Sequence, residues 1–142
     1  MKIVCDTNVL ISGVLFGGPA RKILQIASRG VLINFLSPEI LREAEDVLGR
    51  SKFGLHPKHV LEIIALFKDT FEIVIPSLRV QAIQSDPEDN HVIEAALAAG
   101  AEFIISGDKH LLKLTEWEGI HVVSPAQFVE TIIDQQPAQP DK

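Results

Sequence analysis

The residues able to do chemistry in this chain are carboxylates, and they fall at a few marked places. Asp6 closes the apolar run Ile3–Cys5 in MKIVCDTNVLISG and precedes a second apolar stretch, Val9–Ile11. Asp108, in FIISGD, follows the apolar run Phe103–Ser106 by two residues. SDPEDNHVIEAALAAG carries Asp86, Glu88, Asp89 and Glu94, and SPEILREAEDVLG carries Glu39, Glu43, Glu45 and Asp46. Three or four carboxylates converging on one place would repel unless a divalent cation sat between them. Hard Mg²⁺ or Mn²⁺ takes oxygen ligands, and the absence of a Cys or His cluster argues against zinc. A cation held by acids suits phosphodiester hydrolysis, where it activates water and stabilises charge on the phosphate oxygens.

Whether the acids converge depends on the elements that carry them. Short apolar runs rich in β-branched or aromatic residues predict strands at Ile3–Asp6, Val31–Leu36, Phe71–Ile75, Phe103–Ser106 and Ile120–Val123. Helical patterns fill the gaps at Arg21–Arg29, Pro38–Leu48 after a Ser37 cap, His59–Lys68, and Pro87–Ala99 after an Asp86 cap. Ser124–Gln127 reads as a capping box opening a last helix to Ile133. Strands apolar on both faces and separated by helices imply a parallel sheet covered on both sides, so the fold class is α/β. The polar, proline-rich tail Gln135–Lys142 is expected to be disordered.

In such a sheet, ligands sit in the crevice outside the carboxyl ends of the strands. Asp6 and Asp108 both point to that edge, although either could equally serve as a plain helix N-cap. At about 100° per residue, Val92, Ile93, Ala96 and Leu97 form an apolar arc with Asp89 near its centre, while Glu88, His91 and Glu94 fall outside it. Asp89 is therefore expected to face inward in a first helical turn, where the helix dipole favours an anion. In the helix from Pro38, Glu43 and Glu45 each lie about 40° beyond an edge of the arc formed by Ile40, Leu41, Ala44, Val47 and Leu48. Periodicity treats the two alike.

Composition bounds the rest. The 142 residues, 46% of them apolar, are about one domain with a sizeable core. No apolar run approaches the roughly 20 residues of a membrane span, and no secretory signal pattern is expected at the N-terminus. A single cysteine, Cys5, makes no internal disulfide and fits a reducing, cytoplasmic setting as core filling. The formal charge of −6 argues against broad electrostatic binding of nucleic acid. Metal loading would neutralise part of that charge at the site, which keeps an anionic substrate open.

Taken in order, VCDTNVLISG, ILREAEDVL, DPEDNHVIEAALAAGAEFIISGDKHLL and VVSPAQFV resemble the PIN-domain ribonucleases. Within them they are most similar to the VapC-like toxins of toxin–antitoxin pairs, over roughly residues 1–133. The resemblance implies a three-layer α/β/α fold around a five-stranded parallel sheet. It also implies an acidic pocket that binds Mg²⁺ or Mn²⁺ and cleaves RNA, a homodimer, and a cognate antitoxin. By motif position the catalytic and metal-binding acids would be Asp6, Glu43, Asp89 and Asp108, and here only the resemblance selects Glu43 over Glu45. Asn8 matches the family's polar residue after the first aspartate, where it would orient that aspartate or a bound water. Ser106 stands where many relatives carry threonine and keeps the hydroxyl.

Between Arg50 and His59 the chain has Arg50, Lys52 and Lys58, two histidines, Phe53 and no acid, a composition suited to RNA phosphates and stacked bases as well as to a solvated loop. Trp117 reads as packing. A phosphoacceptor domain would want a lysine ending the strand Ile120–Val123, which is absent, and a haloacid-dehalogenase-type phosphatase would want an aspartate where Asn8 stands. The remaining rival is an inactive PIN fold kept for binding RNA or protein, and its mark would be loss of one of the four acids.

Overall fold

The computed structural model describes residues 1–79 and 87–134, and only the backbone of residues 87–89. The elements run β1 (Lys2–Cys5), α1 (Thr7–Leu15), α2 (Gly18–Ser28), β2 (Ile33–Leu36), α3 (Pro38–Leu48), α4 (Pro57–Thr70), β3 (Glu72–Ile73), α5 (Pro87–Ala99), β4 (Phe103–Ile105), α6 (Lys109–Leu112), β5 (Glu116–Trp117), β6 (Ile120–Val123) and α7 (Pro125–Phe128). A short 3-10 turn at Ser51–Phe53 follows α3, and a π-turn, Val129–Ile133, continues α7.

The sheet has six strands in the order β3-β2-β1-β4-β6-β5. Five are parallel, and β5 pairs antiparallel with β6. This corrects the expectation of a five-stranded parallel sheet. The added edge is a two-residue strand returned by a tight turn at Glu118 and Gly119, whose φ values of 48° and 85° lie in the left-handed region. A piece so short leaves no periodicity to read. The third predicted strand shrinks to Glu72–Ile73, both exposed at the opposite edge.

Local chemistry explains several boundaries. Ser37 and Ser124 accept from the N–H groups of Ile40 and Gln127 at 3.2 and 3.1 Å, opening α3 and α7 where a proline follows the cap. α1 is longer than the Val9–Ile11 stretch suggests, because Asp6 caps it and Leu10, Val9 and Ile11 bury against the core. Gly17 and Gly18, at φ 95° and 70°, turn the chain sharply into α2, which leans close enough that a Cβ at Gly13 would meet Leu24 at 2.5 Å.

The core joins Ile3, Val4, Cys5, Leu36, Ile104 and Ile105 of the sheet to Leu10, Ile40, Ile93 and Phe128 of the helices. α5 packs against β1, β2 and β4 and also touches α3. It is consequently buried on more sides than its arc predicts. Glu94, expected outside the arc, is buried, as is Asn90 one turn earlier.

Candidate functional site

Neighbours in the sheet order change direction between β1 and β4: β1 continues to β2 on one side, and β4 to β6 on the other. That reversal opens a crevice at the carboxyl ends of the two strands. Cys5 is opposite Ile105 in register, and the Asp6 N–H donates to the Ile105 carbonyl at 3.0 Å. The residues leaving β1 and β4 are thereby held side by side. Asp6 leaves the first, and Ser106 and Asp108 leave the second.

Asp6 is only 5% exposed. One carboxylate oxygen accepts from the Val9 N–H at 2.9 Å, as the N-cap of α1, and the other accepts a short hydrogen bond from the Ser106 hydroxyl. The same Ser106 oxygen accepts from the Asp108 N–H at 2.9 Å. Asp108, half-buried, caps α6 by accepting from the N–H groups of His110 and Leu111 at 2.8 and 3.3 Å. Both aspartates are thus N-caps and also neighbours across the switch point; the two readings coexist. Ser106, fully buried, ties them together.

Burial pushes the Asp6 carboxyl up to about 6, and the negative charge of Asp108 adds to that. The hydrogen bonds from Ser106, from the Val9 N–H and from the Asn8 N–H pull the other way without overcoming it. Asn8 therefore acts on Asp6 through its backbone N–H, while its side chain is exposed. Burial, and secondarily the charge of Asp6, raise the Cys5 thiol far above its ordinary range, so it stays a protonated core residue.

The other two predicted acids stand differently. Glu43 is half-buried on α3, whereas Glu45 is exposed and faces a groove lined by Leu41, Arg42, Ile64 and Lys68 on the side toward α4. Structure separates the two glutamates that periodicity treated alike. The Asp89 side chain, the Asp86 cap and the Gln135–Lys142 tail lie outside the described residues. Among the described residues no three His, Cys, Asp or Glu side chains form a group able to hold a metal ion. The fold therefore brings Asp6 and Asp108 together, and Glu43 does not join them as a third. A divalent cation nonetheless fits this pair. The donors are all oxygen, and neither aspartate forms an ion pair with a lysine or arginine among the described residues, so these residues leave a buried carboxylate's charge to be balanced from elsewhere.

Arg50, Lys52 and Lys58 are all exposed, around and just beyond the turn after α3. Sequence reasoning missed several polar groups. Asn34, 1% exposed on β2, accepts from the Cys5 N–H at 2.9 Å and so takes the place of a main-chain acceptor where β1 and β2 part. A lone asparagine in an apolar strand run was the available signal. Thr7 is buried beside Asp6, and its hydroxyl has no hydrogen-bond partner among the described residues. Trp117 packs against the core as expected, with its indole N–H buried and without a partner among the described residues.

Site and fold define an α/β protein with paired aspartates at the switch point of a mostly parallel sheet. The PIN domain family matches residues 2–110, and the chain belongs to that family. The VapBC2 complex of Rickettsia felis, bound to a DNA fragment from its promoter, contains a chain similar in fold: TM-score 0.63 at 13% identity, covering 87% of this chain and 98% of that one. PAE2754 from Pyrobaculum aerophilum is similar at TM-score 0.56 and 15% identity, covering 95% and 91%. No curated protein matches the chain.

Proposed function

We propose that the protein is a divalent-metal-dependent endoribonuclease acting as the toxin of a toxin–antitoxin pair. The observation that carries the reading is Asp6: a buried carboxylate at the switch crevice, linked through Ser106 to a second one and paired with no lysine or arginine among the described residues. Asp6 and Asp108 would hold Mg²⁺ or Mn²⁺, with Glu43 and Asp89 as the further acids that motif position assigns. When bound, the ion would supply activation of water and stabilisation of charge on the phosphodiester. Ser106 fixes the Asp6 carboxylate through one oxygen while the Val9 N–H holds the other, which keeps that carboxylate in one orientation at the crevice where the cation would bind. Arg50, Lys52 and Lys58 are the candidate RNA contacts. The likeness to a chain of a VapBC complex supports a cognate antitoxin as partner, and a homodimer in the cytoplasm belongs to the same proposal.

Purified protein should cleave RNA with Mg²⁺ or Mn²⁺ and stop with EDTA. Cleavage that survives both EDTA and Asp6→Asn would belong to another activity. An inactive PIN fold retained for binding RNA or protein is the second reading, and RNA binding without cleavage in either Mg²⁺ or Mn²⁺ would favour it.

A further inference from the structure

The acids are distributed very unevenly. Residues 7–38 and 47–61 contain none of the 19 Asp and Glu residues, yet they carry Arg21, Lys22, Arg29, Arg50, Lys52 and Lys58 among the 13 lysines and arginines. A chain of net charge −6 therefore has two acid-free, cationic segments. They meet in space. α1 and α3 pack against each other, each leaving the carboxyl edge, so the residue after α1 and the turn after α3 come together at their far ends. There Phe16 and Phe53 approach with ring centroids 6.3 Å apart, and the Lys52 ammonium lies 5.1 Å from the Phe53 centroid. With Leu15 they line an open depression of about 550 Å³.

Phe16 is 72% exposed, which no packing role explains. Arg21 stays beside it, donating to the Gly13 and Val14 carbonyls at the end of α1, both at 2.9 Å. An exposed Phe16 face beside the half-buried Phe53, among cations and with no acid in either segment, matches a polyanion that presents flat apolar groups. Single-stranded nucleic acid has that chemistry, whereas a duplex hides its base faces. The nine residues of α1 put the aromatic pair about 14 Å from Asp6 along the helix, within reach of the same short strand.

We infer that Phe16, Phe53 and Lys52 form a base-stacking subsite that grips single-stranded RNA one helix length from the Asp6 crevice. This deepens the nuclease reading and rests on it for the identity of the strand as RNA, but the grip itself requires no cleavage. The phosphates flanking the stacked base would fall to Lys52 and Arg50, at the Ser51–Phe53 turn. The exposure of Phe16 makes it a subsite for a base that has already left its stack.

The test is fluorescence anisotropy with a labelled, cleavage-resistant 2′-O-methyl oligoribonucleotide in EDTA. Phe16→Ala and Phe53→Ala should each weaken binding roughly tenfold, the usual worth of one stacked base. Phe16→Leu, which keeps the apolar bulk without the π-face, should lose nearly as much. Lys52→Ala should flatten the dependence of log affinity on log salt by about 0.7, and the same sequence as a duplex should be insensitive to the aromatic variants. Unchanged strand affinity in both aromatic variants overturns the inference. So does a change in sedimentation of Phe16→Ala without loss of strand binding, which would make the patch an interface between copies. The two readings fail separately: strand binding that needs the aromatics in a protein that cleaves nothing with Mn²⁺ removes the nuclease reading alone, and Mn²⁺-dependent cleavage with Phe16→Ala and Phe53→Ala affinities unchanged removes the subsite alone.

Discussion

Two carboxylates are buried in this molecule to almost the same degree, and their surroundings differ in kind. Glu94, on α5, has a side chain 3% exposed that meets the Arg79 guanidinium at 3.2 Å. Asp6, 5% exposed, has hydrogen-bond donors but no ion-pair partner among the described residues. A buried charge that the chain itself balances holds structure together. One that the described residues only hydrogen-bond, as at Asp6, is costly to ionise by itself, and under the proposed function a cation arriving at the switch crevice would offset that cost.

The largest contrast should appear in activity. Asp6→Asn should lower RNA cleavage by on the order of 10³-fold or more, while Glu94→Gln should leave the rate per folded molecule close to wild type. Rates measured on both variants at matched folded concentration decide this; equal losses would erase the distinction. Asp89→Asn should resemble Asp6→Asn, with Asp86→Asn nearly silent, if the inward phase read for Asp89 is right.

Stability against pH sharpens the same contrast. Because burial raises the folded carboxyl of Asp6 from 3.8 to about 6, the folded state holds a proton there that the unfolded chain has already released. Its contribution is fully present below about pH 4 and is lost as pH rises to about 6, a fall of about 3 kcal/mol in metal-free protein. Denaturant titrations in EDTA at several pH values should show this fall in wild type and not in Asp6→Asn, which should be the more stable protein at pH 8. Saturation with Mn²⁺ at about 100 times Kd should restore roughly 2.7 kcal/mol to wild type only. An Asp6→Asn protein that is several kcal/mol less stable without metal would make Asp6 a structural cap.

Smaller effects follow at the supporting residues. Glu94→Gln should cost about 1–3 kcal/mol, the low side of a broken buried pair because Arg79 is 72% exposed. Ser106→Ala removes the donor to Asp6 and the acceptor of the Asp108 N–H, so about 1–2 kcal/mol of stability should go and the acid limb of the pH–rate profile should move upward. An unmoved limb would show that Ser106 does not tune Asp6. Least of all, Glu45→Gln should change stability by no more than about 0.5 kcal/mol and leave cleavage intact, whereas Glu43→Gln should impair it; equal kinetic effects would remove the reason for preferring Glu43.

The sequence by itself determined the α/β class, the caps at Ser37 and Ser124, the bounds of α3 and α5, and the placing of Asp6 and Asp108 at one sheet edge. Those follow from periodicity and capping chemistry, which act over a few residues and so leave marks in the order of the chain. Tertiary packing alone buries Glu94, because α5 is enclosed by β1, β2, β4 and α3 at once. It likewise decided that Ser106 would bridge two aspartates 102 positions apart, that Glu45 would turn toward the α4 groove, and that Phe16 would meet Phe53. Each of these depends on which elements lie side by side, and strand order and helix packing are settled by burial of the whole apolar surface at once rather than by any local pattern.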